Sequence, residues 1–336
     1  MKKLLVIVVL FLGIAVVSLG FGEIETIVLT LQKAHPTFFL FAILVQMTWF
    51  ITSGRMYKSV FRLLGVQESV LILSKIAAAA NFINVVAPSA GMGGVALFAA
   101  EAHRRGHPTG KVTVAAALFL LLDQAAFLVV LALGLIVLVR RNDLDASEIT
   151  ASLIMLGIAV SYATVLYLGY RSESKLGDLL AKVARAINHV AKFFRRNREL
   201  VSEVRAYEFA HEVAEGFTGL TERPISLLRP ILWGILDKVL LMCILVFAFL
   251  SFEVPFSVGT IIAGFSLIYL FVVVSPTPSG IGIVEGIMPI ALSSLNVNWS
   301  QAVVITLAYR AVTFWVPFGV GAWAFRSLHK GESSIF

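Results

Sequence analysis

The sequence predicts an all-α polytopic membrane protein with about six full spans plus two proline-broken hairpins in an inverted-topology repeat, both termini cytoplasmic. Three observations carry that expectation. Hydrophobic residues make up 59% of the 336-residue chain and charged residues only 14%, where soluble domains carry about a quarter. Mean hydropathy is +0.91, and several apolar runs reach the roughly 18 residues a bilayer crossing requires. Lysine and arginine crowd into alternate loops, which is how membrane proteins set their orientation. The net charge of +7 therefore belongs to orientation rather than to nucleic acid.

The N-terminal stretch "MKKLLVIVVLFLGIAVVSLGFGE" has the basic start and apolar core of a secretory signal, with Ser18-Leu19-Gly20 as a passable cleavage site. No hydrophilic region follows it, so an uncleaved first span at 4–22 is expected. Further spans are expected at 36–53, 112–139, 149–170, 226–250 and 300–325. Two more apolar stretches, 69–102 and 256–295, each reach a Pro-Ser step and continue as a second arm of about 15 residues. At about 1.5 Å per residue such an arm falls short of the ~30 Å hydrocarbon core. Each stretch is expected to enter and leave on one side, its second arm re-entrant; a tilted pair of full crossings leaves the same topology. Cys243 stands alone in an apolar run, so an intramolecular disulfide is excluded and a buried thiol is expected.

The bases near Lys2, Arg55, Arg104, throughout 171–229 and at Arg326 share one side, against Lys33, Arg140 and Arg141 on the other. Both termini are thereby placed in the cytoplasm of a multi-pass protein of the cell (inner) membrane. The first repeat covers 1–148 with a cytoplasm-open hairpin at 69–102. The second covers 149–336 with an outside-open hairpin at 256–295. Their sequences echo: "VVAPSAGMGGVALFAAEA" against "VVSPTPSGIGIVEGIMPI", each followed by a mid-span charge, Asp123 and Arg310. Inverted repeats with broken helices at matching positions mark many secondary transporters. The insertion 171–225 is basic, with Leu176, Leu180, Val183, Ile187, Val190 and Phe194 forming one helical stripe. It suits a helix on the anionic inner leaflet, or a linker helix packed on the ends of the spans.

Proline lacks an amide hydrogen and disfavours helix before it, so Pro88, Pro276 and Pro278 are expected to end the first arms. Ser89 and Ser279 are then placed as N-caps of the second arms. Gly91, Gly280 and Gly282 allow close approach of backbone or ligand. Two half-helix N-termini meeting inside the membrane would form an anion-favouring centre. The competing structural reading is a pair of packing kinks.

Asp123, Asp237, Lys238, Glu285 and Arg310 fall at mid-span, where lone charges cost ~2.5–3.5 kcal/mol. Arg310, always charged and fork-shaped, is the candidate phosphate ligand. Asp123 is its expected ion-pair partner in the empty site, while Glu285 either holds Arg310 or titrates. Asn81, Asn84, Tyr269 and Tyr309 are candidate polar lining. A purely structural salt-bridge network is the alternative for each of these charges. No catalytic cluster, metal site or cofactor motif stands out. "GMGGVA" lacks the downstream acid of a dinucleotide loop, "HRRGH" is broken by Gly106, and "HEVAE" lacks a second histidine.

"PTPSGIGIVEG" followed by "AYRAVTFWVPFGVGAWAF" resembles a motif pair of the lysylphosphatidylglycerol synthase transmembrane (flippase-like) family. "NVVAPSAGMGGVALFAAEAHRRGHP", with Asp123 beyond it, resembles the family's first-half motif. The resemblance implies a polytopic domain that moves or handles lipids, here expected without the C-terminal aminoacyl-transferase domain of some members. Many members carry Arg and Asp after the first proline and Glu-Arg before the mid-span acid, where this chain has "SAGMGG" and "FLLLDQ". The family role therefore carries over to Pro278, Gly280, Gly282, Glu285, Tyr309 and Arg310. The expected function is a flippase for a phosphate-bearing lipid, an aminoacylated phospholipid or a polyprenyl-phosphate carrier. The alternatives are an intramembrane enzyme acting on a lipid-linked headgroup, and a scaffold for a cytosolic synthase. A homo-oligomer is also open.

Overall fold

A computed structural model describes residues 34–86, 92–141, 171–193, 228–275 and 277–329, with scattered positions in 149–170 and 202–214. The expected span at 4–22, together with Pro88, Ser89, Gly91 and Pro276, lies outside the described residues. Among those described, every regular element is helical.

Helix α1 is Pro36–Leu63, opened by a proline whose missing amide would go unused in a first turn. Helices α2, Val70–Val86, and α3, Met92–Arg104, are the two arms of the first broken stretch. Helix α4 is Thr109–Arg141 and α5, in the basic insertion, is Glu173–Phe193. Helix α6 is Leu228–Ser251. Helix α7, Val258–Val274, a 3-10 turn at Pro278–Gly280 and α8, Ile283–Ser294, make the second broken stretch. Helix α9, Trp299–Arg310, runs through a π turn at Ala311–Trp315 into α10, Val316–His329.

Among the described residues, four stretches are long and apolar enough to cross a membrane: Pro36–Leu63, Gly110–Arg140, Leu228–Ser251 and Trp299–Leu328. The arms are shorter. Helices α2 and α7 have 17 residues each, α3 has 13 and α8 has 12. At about 1.5 Å per residue none of the four reaches the ~30 Å of a hydrocarbon core.

The outer faces of the long helices carry exposed apolar residues at helical spacing. Val129, Leu133 and Ile136 line α4, and Leu228, Leu232, Leu236 and Val239 line α6. A soluble protein would bury such stripes; a bilayer solvates them. Inward, α1 packs along α6 and α2, α10 on α2, α4 on α7 and α6, and α8 on α9. Close contacts rest on small residues, as is usual in membranes. A Cβ on Gly321 would sit 2.5 Å from the Ala78 carbonyl oxygen. Ser266 Oγ donates to its own helix at Ile262 and, at 3.1 Å, across to the Val130 carbonyl.

Two large apolar clusters result, beside a small third where α4 meets α7 and α8. One joins α1 to α4 with Ala324 and Leu328 of α10; the other joins α4 with α6 to α9. In the basic insertion, α5 buries Leu176, Ala181 and Ala184 and exposes Lys175, Lys182 and Arg185. Leu176 belongs to the first cluster, so the first half of α5 packs on the bundle. Val183, on the expected stripe, is 46% exposed. Ile187, Val190 and Phe194 lie outside the described side chains. Tyr207 donates to Asp178 at 2.6 Å and His211 approaches Glu173 at 3.0 Å, pinning the following segment to α5.

Candidate functional site: a charged cavity at the second helix break

Helix α7 stops where a following proline requires it to. Ser275 is extended, φ −62 and ψ 134, the conformation the residue before proline adopts. The chain then turns through three left-handed residues, Ser279, Gly280 and Gly282, with φ of 50, 73 and 79. A Cβ on Gly280 would lie 2.5 Å from the Val284 side chain and 3.3 Å from the Val272 backbone, so the corner closes only around glycine. This tight turn moves the cap. Ser279 was expected to cap α8, but it lies inside the 3-10 turn, and the N-cap position belongs to Gly282.

Glycine has no side-chain acceptor, and Glu285 supplies one. Its Oε2 accepts from the Gly282 amide at 2.7 Å, while Oε1 accepts from Arg310 Nε. Arg310 NH1 also donates to the Ser279 carbonyl at 3.3 Å. Corner, carboxylate and guanidinium are thus one unit. The charge of Glu285 already answers the positive end of α8, so this helix N-terminus is no open anion trap.

What stays open is the third guanidinium nitrogen. Arg310 NH2 is buried and has no hydrogen-bond partner among the described residues. The Arg310 carbon Cζ stacks 4.7 Å from the centroid of the Phe314 ring. The span expected at 300–325 runs on through a π turn at Ala311–Trp315 immediately afterwards. Pro317 cannot give the amide hydrogen that Thr313 would receive in an α-helix, and the wider turn absorbs the loss. An α-helix rotates a face by about 40° every four residues. The wider turn offsets that drift, so Tyr309, Thr313 and Pro317, with Arg310, Phe314 and Phe318, all line one cavity.

Asp123 was expected opposite Arg310; it pairs instead with Lys238, at 2.6 Å. The reason is packing. Helix α4 lies on α6, which carries Lys238, whereas α8 brings Glu285 onto α9 beside Arg310. Lys238 Nζ also lies 3.3 Å from Asp237 Oδ2 and donates to Tyr269 at 2.9 Å. Ser53 of α1 donates to the other Asp237 oxygen at 2.8 Å.

Both ionic groups border one cavity of about 320 Å³ between the two clusters. Its walls include Gln46, Trp49, Ser53 and Tyr57 of α1, Asn81 and Asn84 of α2, and Tyr269, Ser279 and Tyr309. Asn84 has a structural duty as well: its Oδ1 accepts from the Gly94 amide at 2.9 Å, in the first turn of α3, where amides have no intrahelical acceptor. The 3-10 turn also packs on α2, so the second break and the first arm of the first hairpin meet here.

Sequence reasoning had noted Asp237 and Lys238 without placing them in the site, and it missed Gln46, Ser53 and Tyr57. A signal existed. Gln46, Trp49, Ser53 and Tyr57 stand at i, i+3, i+7 and i+11, a stripe of polar tips down an otherwise apolar helix.

A family model described as the lysylphosphatidylglycerol synthase TM region matches residues 3–321. The chain belongs to that family. A UPF0104 membrane protein of Methanothermobacter thermautotrophicus is 25% identical over 321 residues, covering 95% of this chain and 92% of the relative. In this lysylphosphatidylglycerol synthase TM-region protein, the described motif residues converge. Gly280 and Gly282 shape the corner, Glu285 and Arg310 tie it, and Tyr309 lines the cavity beside it.

Proposed function

We propose that this multi-pass membrane protein is a flippase for a phosphate-bearing lipid, such as an aminoacylated phospholipid or a polyprenyl-phosphate carrier. In this reading it sits in the cell membrane with both termini cytoplasmic, and its two halves form an inverted repeat that opens the cavity to alternate sides. The headgroup occupies the cavity while the acyl chains stay in lipid against the apolar outer faces.

One observation carries the reading: Arg310 lines a cavity inside a membrane protein and carries a buried N–H pair with no partner among the described residues. A buried donor without an acceptor is costly, and a phosphate oxygen is the acceptor for which guanidinium is best shaped. Gln46 Oε1, also buried and unpartnered on the cavity wall, adds an acceptor for a headgroup hydroxyl or ammonium. Family membership adds that the relatives share a membrane region named for a phospholipid synthase.

The test is translocation of fluorescently tailed phosphatidylglycerol in reconstituted vesicles, read by quenching from one side. Arg310→Ala is expected to slow it by roughly tenfold or more, as loss of a charge-assisted bond of ~1.5–3 kcal/mol implies. Arg310→Lys, which keeps charge but not the fork, is expected to fall between. Wild-type rates in Arg310→Ala, or a new lipid species in mass spectra, would overturn the flippase reading.

A further inference from the structure

Around the cavity the charges do not balance. Among the described residues, Lys238 and Arg310 are the cations that line it, and Asp123, Asp237 and Glu285 are the carboxylates attached to them. Glu285 and Arg310 close on each other. That leaves one ammonium, Lys238, between two aspartates at 2.6 and 3.3 Å. The Lys238 and Asp237 side chains are 1% and 4% exposed, while Asp123 is 18% exposed.

Among the described residues, no neighbouring element supplies the missing positive charge. Helix α1 presents the Ser53 hydroxyl to Asp237 and the Tyr57 ring to the cavity. Its Arg55 is engaged elsewhere, 5.1 Å from the Trp233 ring centroid. Helix α4 presents Asp123 itself. Helix α7 presents Tyr269, which donates to Asp123 at 3.4 Å, and α9 presents Tyr309 and Arg310. Hydroxyls can orient a carboxylate but cannot neutralise it. A surplus charge in a low-dielectric interior is expensive, and a proton is the smallest group that removes it.

We propose that Asp123, Lys238 and Asp237 form a proton site, holding one exchangeable proton that accompanies an anionic headgroup through the cavity. This rests on the flippase reading. A phosphate approaching the free Arg310 nitrogen lies in the same cavity as Lys238 and competes with Asp123 for it. Asp123, once released, would repel the phosphate unless it carries the proton. The proton comes from water on the entry side onto a carboxylate oxygen of the pair. It leaves to water on the exit side with the headgroup, and the site takes up its next proton when the Asp123–Lys238 bond re-forms facing the entry side. No other bond is made or broken. Glu285, the carboxylate for which the sequence suggested titration, is excluded from this role by its two bonds to Gly282 and Arg310.

The test has two arms on the full chain. Infrared difference spectra of the protein in nanodiscs near neutral pH read protonated carboxyl groups directly. The expected result is a protonated-carboxyl band that is lost in Asp237→Asn or Asp123→Asn and retained in Glu285→Gln. No such band, or one lost only in Glu285→Gln, overturns the proposal. Two aspartate variants are used so that one misfolded variant does not decide the outcome. In vesicles, fluorescently tailed phosphatidylglycerol is expected to move several-fold faster down an imposed pH gradient, and Asp237→Asn to lose that response. Translocation indifferent to the pH gradient, or responsive to sodium instead, overturns proton coupling and leaves the flippase reading standing. No translocation under any gradient removes the reading and the coupling together, and the infrared band then reports a structural proton only.

Discussion

Removing the Lys238 ammonium would leave Asp123 and Asp237 facing each other with no cation between them. Breaking a buried pair from one side costs ~3–5 kcal/mol, because a charge stays behind. Lys238→Met is therefore expected to lower the unfolding temperature in detergent sharply. Asp237→Asn should cost far less, about 1 kcal/mol, because an amide oxygen still accepts from Ser53 and the surplus charge disappears. Equal losses in the two variants would contradict this account of the cluster. Arg310 follows a different logic: its Nε and NH1 hold the corner while NH2 is spare. The sequence announced these residues as charges in apolar runs, yet it mispaired them. The sequence echo that leads to Asp123 in one stretch and Arg310 in the other suggested a contact that helix packing does not make.

Elements carry the next level of specification. The π turn Ala311–Trp315 exists because Pro317 withdraws a donor, and it aims Arg310 and Phe314 into the same cavity. Pro317→Ala restores that donor and should return the stretch to α-helix. The helix is expected to gain stability, Arg310 to turn away from Glu285, and translocation to fall severalfold. A variant with unchanged transport would separate the π turn from function. In the first hairpin, Asn84→Ala removes the acceptor for the Gly94 amide and is expected to cost about 1 kcal/mol, as lost caps do. Hydrogen exchange at the start of α3 checks it. The second break was legible as the Pro278-Ser279 step. Its cap was not, because three left-handed residues, Ser279, Gly280 and Gly282, displace the start of α8 in a way no single residue type announces.

At the scale of the whole molecule, an ionic latch ties the first hairpin to its neighbours. Arg105 lies 3.6 Å from Glu68 and 3.2 Å from Glu101, His107 lies 3.3 Å from Glu68, and Arg104 reaches the Leu328 carbonyl at 3.4 Å. Glu68 sits outside the spans. Burial disfavours its charge, but the Ser69 amide, the His107 ring and the Arg105 guanidinium together hold its carboxyl below the usual range. A lowered folded value means the carboxylate favours the folded state. Its contribution is complete above the unfolded value of about 4.3 and drains away as pH falls below it. Glu68→Gln should flatten the acid side of the stability profile, measured by thermal unfolding from neutral pH down to about pH 3. An unchanged profile would remove Glu68 from the latch.

The sequence by itself determined that the chain is a helical membrane protein, where its four described membrane-length helices run, and that α7 ends ahead of a proline. Those features depend on local composition: hydrophobic length, missing amides and the cost of stranded charge act within a few residues. Only the tertiary structure decided that Lys238 answers Asp123, that Glu285 binds both α8 and Arg310, and that a polar stripe on α1 completes the cavity. Ion pairs in an apolar interior are chosen by which helices lie side by side, and residues 115 positions apart, as Asp123 and Lys238 are, carry no local signal of that choice.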